Sequence, residues 1–211
     1  MEGHADEGGT SAPGPTDVLR RLRTATAVEH RQVEDGLALT DPELTTDRLV
    51  SVLRGMHGFW CAAEDGLDAW FGTDPGAAAR LQWSRRRRAY LFAADLRILG
   101  AEPAGTRPRL DAVTGPEQAL GRMYVLEGST LGGTFIDRHL ATLPHLAPAG
   151  SLRAFTPYGE DTGALWAAYR RATRDAVAAG ADPDAVVDAA RRTFRALSAW
   201  CAPVGAHGEP G

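Results

Sequence analysis

A histidine, a carboxylate and an arginine recur at helical spacing near the start of the chain. His30 is followed by Glu34 after four residues and preceded by Arg23 at seven, so the three lie along one side of a helix. A carboxylate one turn from an imidazole can accept its ring N–H, fix the tautomer and aim the other nitrogen at a metal. A guanidinium two turns back can pair with the carboxylate of a ligand on that side. The alternative needs no ligand. His30 is then a core histidine satisfied by a hydrogen bond, and Glu34 and Arg23 are solvated charges worth little. Spacing alone leaves both readings open.

A second concentration of unusual residues runs from Gly121 to His139, a helix-periodic segment that carries Gly121, Gly128, Gly132 and Gly133. Each interior glycine costs a helix about 1 kcal/mol relative to alanine. Gly121, Gly128 and Gly132 fall on one stripe, at intervals of seven and four. A bare backbone lets another body approach closely, and either a neighbouring helix or a flat cofactor fits. The glycines also permit a bend.

The elements that must position these residues are helices. Leu19, Leu22, Thr26, His30, Val33 and Leu37 recur at three and four residues, which makes one inward stripe of a first helix over 17–37. Glu29 and Arg31 flank His30 and are expected to face solvent. Further helices are expected over 46–71, 76–99, 115–143, 160–179 and 183–201, with Pro116 in a first turn and Gly100 and Gly180 near ends. No stretch alternates in the manner of a strand. The expected fold class is all-α, a single domain over 16–204 between Gly- and Pro-rich tails at 1–15 and 205–211.

Composition removes several function classes. The 211 residues carry 23 basic side chains, all of them arginine, and a formal net charge of −4. Without lysine there is no Schiff-base chemistry and no phosphate-binding loop of the G-x-x-x-x-G-K-[ST] kind. The negative balance argues against nucleic acid as a partner. The sequence has no apolar run long enough to span a bilayer and no signal-peptide pattern, and Cys61 and Cys201 have no metal-type spacing. A cytoplasmic protein with reduced thiols is expected. No Glu-x-x-His occurs, which counts against a di-iron oxidase on a helical scaffold.

Four segments together resemble the haem oxygenase family, particularly its bacterial, bacteriophytochrome-associated branch. They are LRTATAVEHRQVE (22–34), RRRRAYLFAADLRILG (85–100), GRMYVLEGSTLGGTFI (121–136) and RRTFRALSAW (191–200). The pairing of the histidine segment with YVLEGSTLGG carries most of the specificity. The resemblance implies a haem oxygenase-like helical bundle in which His30 is the proximal iron ligand and Glu34 its partner. Gly128 and Gly132 would mark a bent distal helix across the other haem face. Arg23, with Tyr124 and one of Arg191 and Arg192, would meet the haem propionates. Animal relatives carry an aspartate where Ser129 stands here, so a distal network would use Ser129, backbone groups or ordered water. Ala27 stands where relatives often carry arginine. The implied reaction converts haem, as substrate and cofactor, to biliverdin, carbon monoxide and ferrous iron. It uses O2 and electrons from an external ferredoxin, flavodoxin or reductase, and a phytochrome is an implied downstream partner. A non-enzymatic haem-binding or transport protein, and a cofactor-free helical interaction module, are the competing readings.

The remaining residues suggest packing. Arg85 to Arg88 read as a solvated helix face, with a docking patch for an acidic electron donor as the alternative. His57 reads as a packed core histidine, His139 and His145 as helix-end or loop residues, and the five tryptophans as core or interhelix packing.

Overall fold

The computed structural model describes residues 17–202 except 104 and 151, so the tails expected at 1–15 and 205–211 lie outside the described residues. Within them every regular element is helical: α1 (Asp17–Ala25), α2 (Ala27–Leu37), α3 (Thr46–Thr73), α4 (Pro75–Arg80), α5 (Ala89–Ile98), α6 (Pro116–Gly128), α7 (Gly133–Thr142), α8 (Thr162–Ala178) and α9 (Pro183–Cys201). Short 3-10 turns occupy Trp83–Arg85, Ala147–Ala149 and Gly159–Asp161. The fold is all-α, as expected. Helix α9 packs along α6, α2 and α1, while α3 packs against α5. Leu22, Leu53, Phe59, Trp60, Phe92 and Met123 form the centre of one core.

Three of the expected helices are broken, each for a local reason. The first divides at Thr26, whose hydroxyl donates to the Leu22 carbonyl at 2.7 Å. That back-bonding bends a helix without ending its direction, and the ladder continues through His30 N–H to Thr26 O at 2.8 Å. The helix expected over 76–99 is interrupted between Arg80 and Ala89. Gln82 takes a left-handed conformation with φ 51°, and the arginine run lies on no helix face: Arg86 and Arg88 turn inward while Arg85 and Arg87 stay exposed. The helix expected over 115–143 stops at Gly128 and restarts at Gly133. The bridging residues make i→i−3 bonds, Thr130 N–H to Glu127 O and Leu131 N–H to Gly128 O, both at 3.1 Å, a tightened turn where the glycine-rich bend was expected.

The arginine run is the largest departure from the sequence reading. Arg86 and Arg88 are each 1% exposed. Arg86 pairs with the buried Glu127 of α6, donates to the Leu81 carbonyl and reaches Leu165 O at 3.0 Å. Tyr158 donates its hydroxyl to the same carboxylate at 2.9 Å. Such a pair is costly to bury, but removing one partner strands the other charge, typically at 3–5 kcal/mol. It therefore bolts α6 to the 81–88 segment. Glu64 of α3 accepts from the backbone N–H groups of Arg88 at 2.6 Å and Ala89 at 2.9 Å, capping the start of α5. Burial pushes the Glu64 carboxyl above the usual carboxylate range against those hydrogen bonds.

Two histidines tie α7 and the turn after it to the loop that follows α2. His139 Nε2 lies 3.0 Å from Asp41 O, and His145 Nε2 2.9 Å from Leu44 O. The tryptophans pack as expected, with Trp83 Nε1 donating to Asp68 at 2.6 Å and Trp200 Nε1 to Gly55 O at 2.9 Å. Both cysteines are free thiols, Cys201 buried and Cys61 partly so.

Candidate functional site

A cleft of about 440 Å³ opens between α2, the α6–α7 break, α9 and the centre of α3, a size ordinary for small-molecule sites. His30, Glu34, Tyr124, Gly128, Ser129 and Gly132 all line it. The ring of His30 is half exposed, because the inward stripe of α2 faces this space rather than packed side chains. Its Nδ1 stands 3.2 Å from Glu34 Oε2, so a ring N–H there donates to the carboxylate and Nε2 keeps its lone pair. Phe194 of α9 meets the ring edge-on at 5.6 Å between centroids. The imidazole is thus oriented on two sides.

The glycine stripe has two jobs. A Cβ at Gly121 would overlap Ala189 and the backbone at Val186 and Ala190, so Gly121 serves the close packing of α6 on α9. At Gly128 and Gly132 a Cβ would meet nothing within 4 Å. Their bare backbone borders the cleft, and a flat guest can lie against it. Gly133 belongs with Gly121, because a Cβ there would overlap the Phe155 carbonyl. The segment carrying Phe155 is itself pinned by Asp95, whose carboxylate accepts from Arg153 N–H at 3.1 Å and Ala154 N–H at 2.8 Å.

Ser129 stands at the helix break, donating to Leu126 O at 2.7 Å and accepting from Arg88 Nη2 at 2.8 Å. Arg88 Nη2 also donates to Leu126 O at 2.6 Å, and the guanidinium lies 5.1 Å from the centroid of the Trp60 ring. Its Nε is buried and has no partner among the described residues. Arg88 lines the cleft, and sequence reasoning missed it. A signal existed in Glu64 and Glu127, carboxylates set in apolar helical stripes, which must find cationic or N–H partners.

The expected propionate residues divide. Tyr124 lines the cleft; burial pushes its phenol up, opposed by Thr26 and by the nearby Arg23. Arg23, Arg191 and Arg192 are not among the lining residues. Arg191 Nε is 2.8 Å and Arg195 Nη2 3.0 Å from Glu29 Oε1, while Arg192 Nε is 3.2 Å from Asp111. Glu29, expected to face solvent, is 4% exposed. His57 is partly buried beside Cys61 and outside the cleft. Among the described residues no group of three or more His, Cys, Asp or Glu side chains is placed to share a metal ion, and the several inward carboxylates of a di-iron centre are not assembled.

Glu29 clamps α2 to α9 next to His30, and the clamp is pH-dependent. Desolvation opposes its ionisation, but the hydrogen bonds and charges of Arg191 and Arg195 outweigh that and hold the carboxyl below its ordinary value of 4.5. With a depressed folded-state pKa, the unfolded chain binds more protons. The stabilisation is present above the unfolded value and is lost as pH falls through the depressed one. Glu29→Gln should lower the denaturation midpoint at pH 7 and leave the acid limb below about pH 4.5 flatter than in the wild type. Urea titrations across that range measure it, and a variant with an unchanged acid limb would remove the clamp from the account.

The chain is similar to several known proteins. Residues 104–202 match the family model described as "Heme oxygenase". A curated heme oxygenase of Xanthomonas campestris pv. campestris (strain 8004) is 33% identical over 103 residues, 49% of this chain and 59% of that protein. The chain thus spans about six tenths of that relative's length. Among solved structures, the NO- and CO-bound heme oxygenase from Neisseria meningitidis superposes with a TM-score of 0.68 at 22% identity, over 90% of this chain and 94% of its own. Heme oxygenase from Leptospira interrogans gives 0.68 at 16% identity, covering 89% and 99%. Heme oxygenase-1 from Synechocystis sp. PCC6803, solved in complex with heme, gives 0.67 at 16% identity, covering 87% and 90%. At these identities the structural likeness concerns the fold.

Proposed function

We propose, from the match to the haem oxygenase family model over residues 104–202, the 33% identity to a curated relative over 103 residues and the likeness of fold, that this chain is a haem oxygenase, which binds haem in the α2–α6 cleft and cleaves it oxidatively to biliverdin, carbon monoxide and ferrous iron. The observation that carries the proposal is one cleft shared by the Glu34-oriented ring of His30 and the bare backbone at Gly128 and Gly132. Haem is substrate and cofactor together, and its iron supplies the oxygen chemistry.

The chain's residues then have distinct tasks. His30 offers Nε2 to the iron, and Glu34 keeps the ring turned by accepting its Nδ1–H. Gly128 and Gly132 admit the porphyrin plane against the backbone. Arg88 donates to Ser129 and so directs the serine's own proton to Leu126 O, while its unpartnered Nε is a site for ordered water on the distal side. Glu34 is the one carboxylate lining the cleft among the described residues, so a proton reaches the distal side through water, Ser129 or Arg88. We assign propionate contacts to Tyr124 and, beside it, Arg23. Arg191 and Arg192 are held by Glu29 and Asp111. Electrons come from an external ferredoxin, flavodoxin or reductase in the cytoplasm, with a phytochrome as acceptor of the bilin. No helix among the described residues is long and apolar enough to cross a membrane.

The deciding experiment adds hemin, follows the Soret band, and then supplies ascorbate or a ferredoxin system with catalase present. Loss of the Soret band with formation of biliverdin is the expected result. Stoichiometric haem binding without biliverdin would instead make the chain a haem carrier.

A further inference from the structure

A second cavity, of about 240 Å³, lies on the other side of α9, between that helix, α6 and the 109–112 segment. Phe194 and Leu197 face the haem cleft, whereas Ala189, Arg192 and Ala196, three and four residues apart, border the second cavity. Four arginines meet there: Arg109, Arg122, Arg192 and Arg195. Asp111 is the one carboxylate in its wall among the described residues. It already pairs with Arg192 at 3.2 Å, and its backbone oxygen takes Nη2 of Arg122. Arg195 is answered from outside by Glu29.

Arg122 is the informative member. It is 5% exposed, and both its Nε and Nη1 are buried without a partner among the described residues. Gly66 of α3 makes room for it, since a Cβ there would collide with Nη1. Desolvation works against its charge, with Asp111 opposing. A guanidinium held in such a place without a carboxylate is costly unless an anion completes it. Arg109 lines the cavity from its exposed side.

We propose that this cavity is an oxyanion site for a phosphate group, gripped by Arg109, Arg122 and Arg192. Guanidinium forks match the oxygens of phosphate in pairs. A phosphomonoester carries between about one and a half and two charges near neutral pH, and its several oxygens can meet the buried Arg122 and the rim arginines together, whereas a monocarboxylate offers one charge and two oxygens. The volume admits inorganic phosphate or a small phosphomonoester.

Calorimetric titration of the full chain with inorganic phosphate, against chloride at matched ionic strength, tests the site. One phosphate should bind per chain with and without haem loaded. Arg109→Gln and Arg122→Met should each weaken it at least about tenfold, while the Soret titration of Arg109→Gln stays as in the wild type. Glycerol 3-phosphate binding more tightly than inorganic phosphate supports an organic phosphate as the source; the reverse supports the free ion. Equal affinity in Arg109→Gln overturns the proposal even where Arg122→Met fails to fold. So do loss of phosphate binding on loading haem, which places the anion in the haem cleft, and tighter binding of acetate than of phosphate.

Discussion

His30→Ala gives a folded protein that takes up hemin without an axial protein nitrogen and makes no biliverdin. The ring is half exposed and its packing partner is one edge of Phe194, so the fold loses no more than about 1 kcal/mol. In the proposed ligation the iron loses its protein nitrogen. The ferric Soret band should move, hemin affinity should fall by at least about tenfold, or ~1.4 kcal/mol, and product formation should fall below detection. Imidazole added to the solution should return part of the spectrum, because the vacated volume borders an open cleft. A variant with the wild-type ferric spectrum would mean that another side chain holds the iron.

Gly128→Ala separates stability from function by sign. The added methyl meets no atom within 4 Å, and Gly128 closes α6 in helical conformation. Alanine there should raise the stability of the haem-free protein by up to about 1 kcal/mol. The same methyl protrudes where the porphyrin is to lie, so hemin affinity and turnover should drop, by about tenfold for a misfit of ~1.4 kcal/mol, and further for Gly128→Leu. Thermal unfolding and hemin titration on one preparation give both readings. An alanine variant that is more stable and binds hemin normally would move the guest away from the α6–α7 break. Gly121→Ala serves as the contrast: its methyl overlaps α9, and it should lose stability instead.

The parts of this site that were legible in the sequence are those fixed by neighbours along one helix. His30 and Glu34 meet because a four-residue step brings side chains together whatever the rest of the chain does. The helical class was legible for the same reason. The glycine stripe marked the right segment, yet its periodicity could not tell that Gly121 faces α9 while Gly128 faces open space, because that depends on where α9 runs. Arg86 and Arg88 were illegible. Four consecutive arginines have the composition of a solvated face, and only partners 41 residues along the chain, Glu127 for Arg86 and Ser129 for Arg88, reverse that. Glu29 was misread likewise, since its two partners come from α9, at the far end of the sequence.

The wall of the cleft made by α6 and α7 is anchored at both ends and joined by a short turn. On one flank Glu127 and Arg86 fasten α6 to the core, and on the other His139 and His145 moor α7 to the loop beyond α2. Between those anchors the residues from Ser129 to Gly132 are held by their own turn bonds and by Arg88 on Ser129 Oγ, so the spacing of the two helices across the cleft is set by a four-residue link. A bulky side chain at Gly132, where a Cβ meets no atom within 4 Å, would therefore fill cleft space while leaving the architecture around it intact.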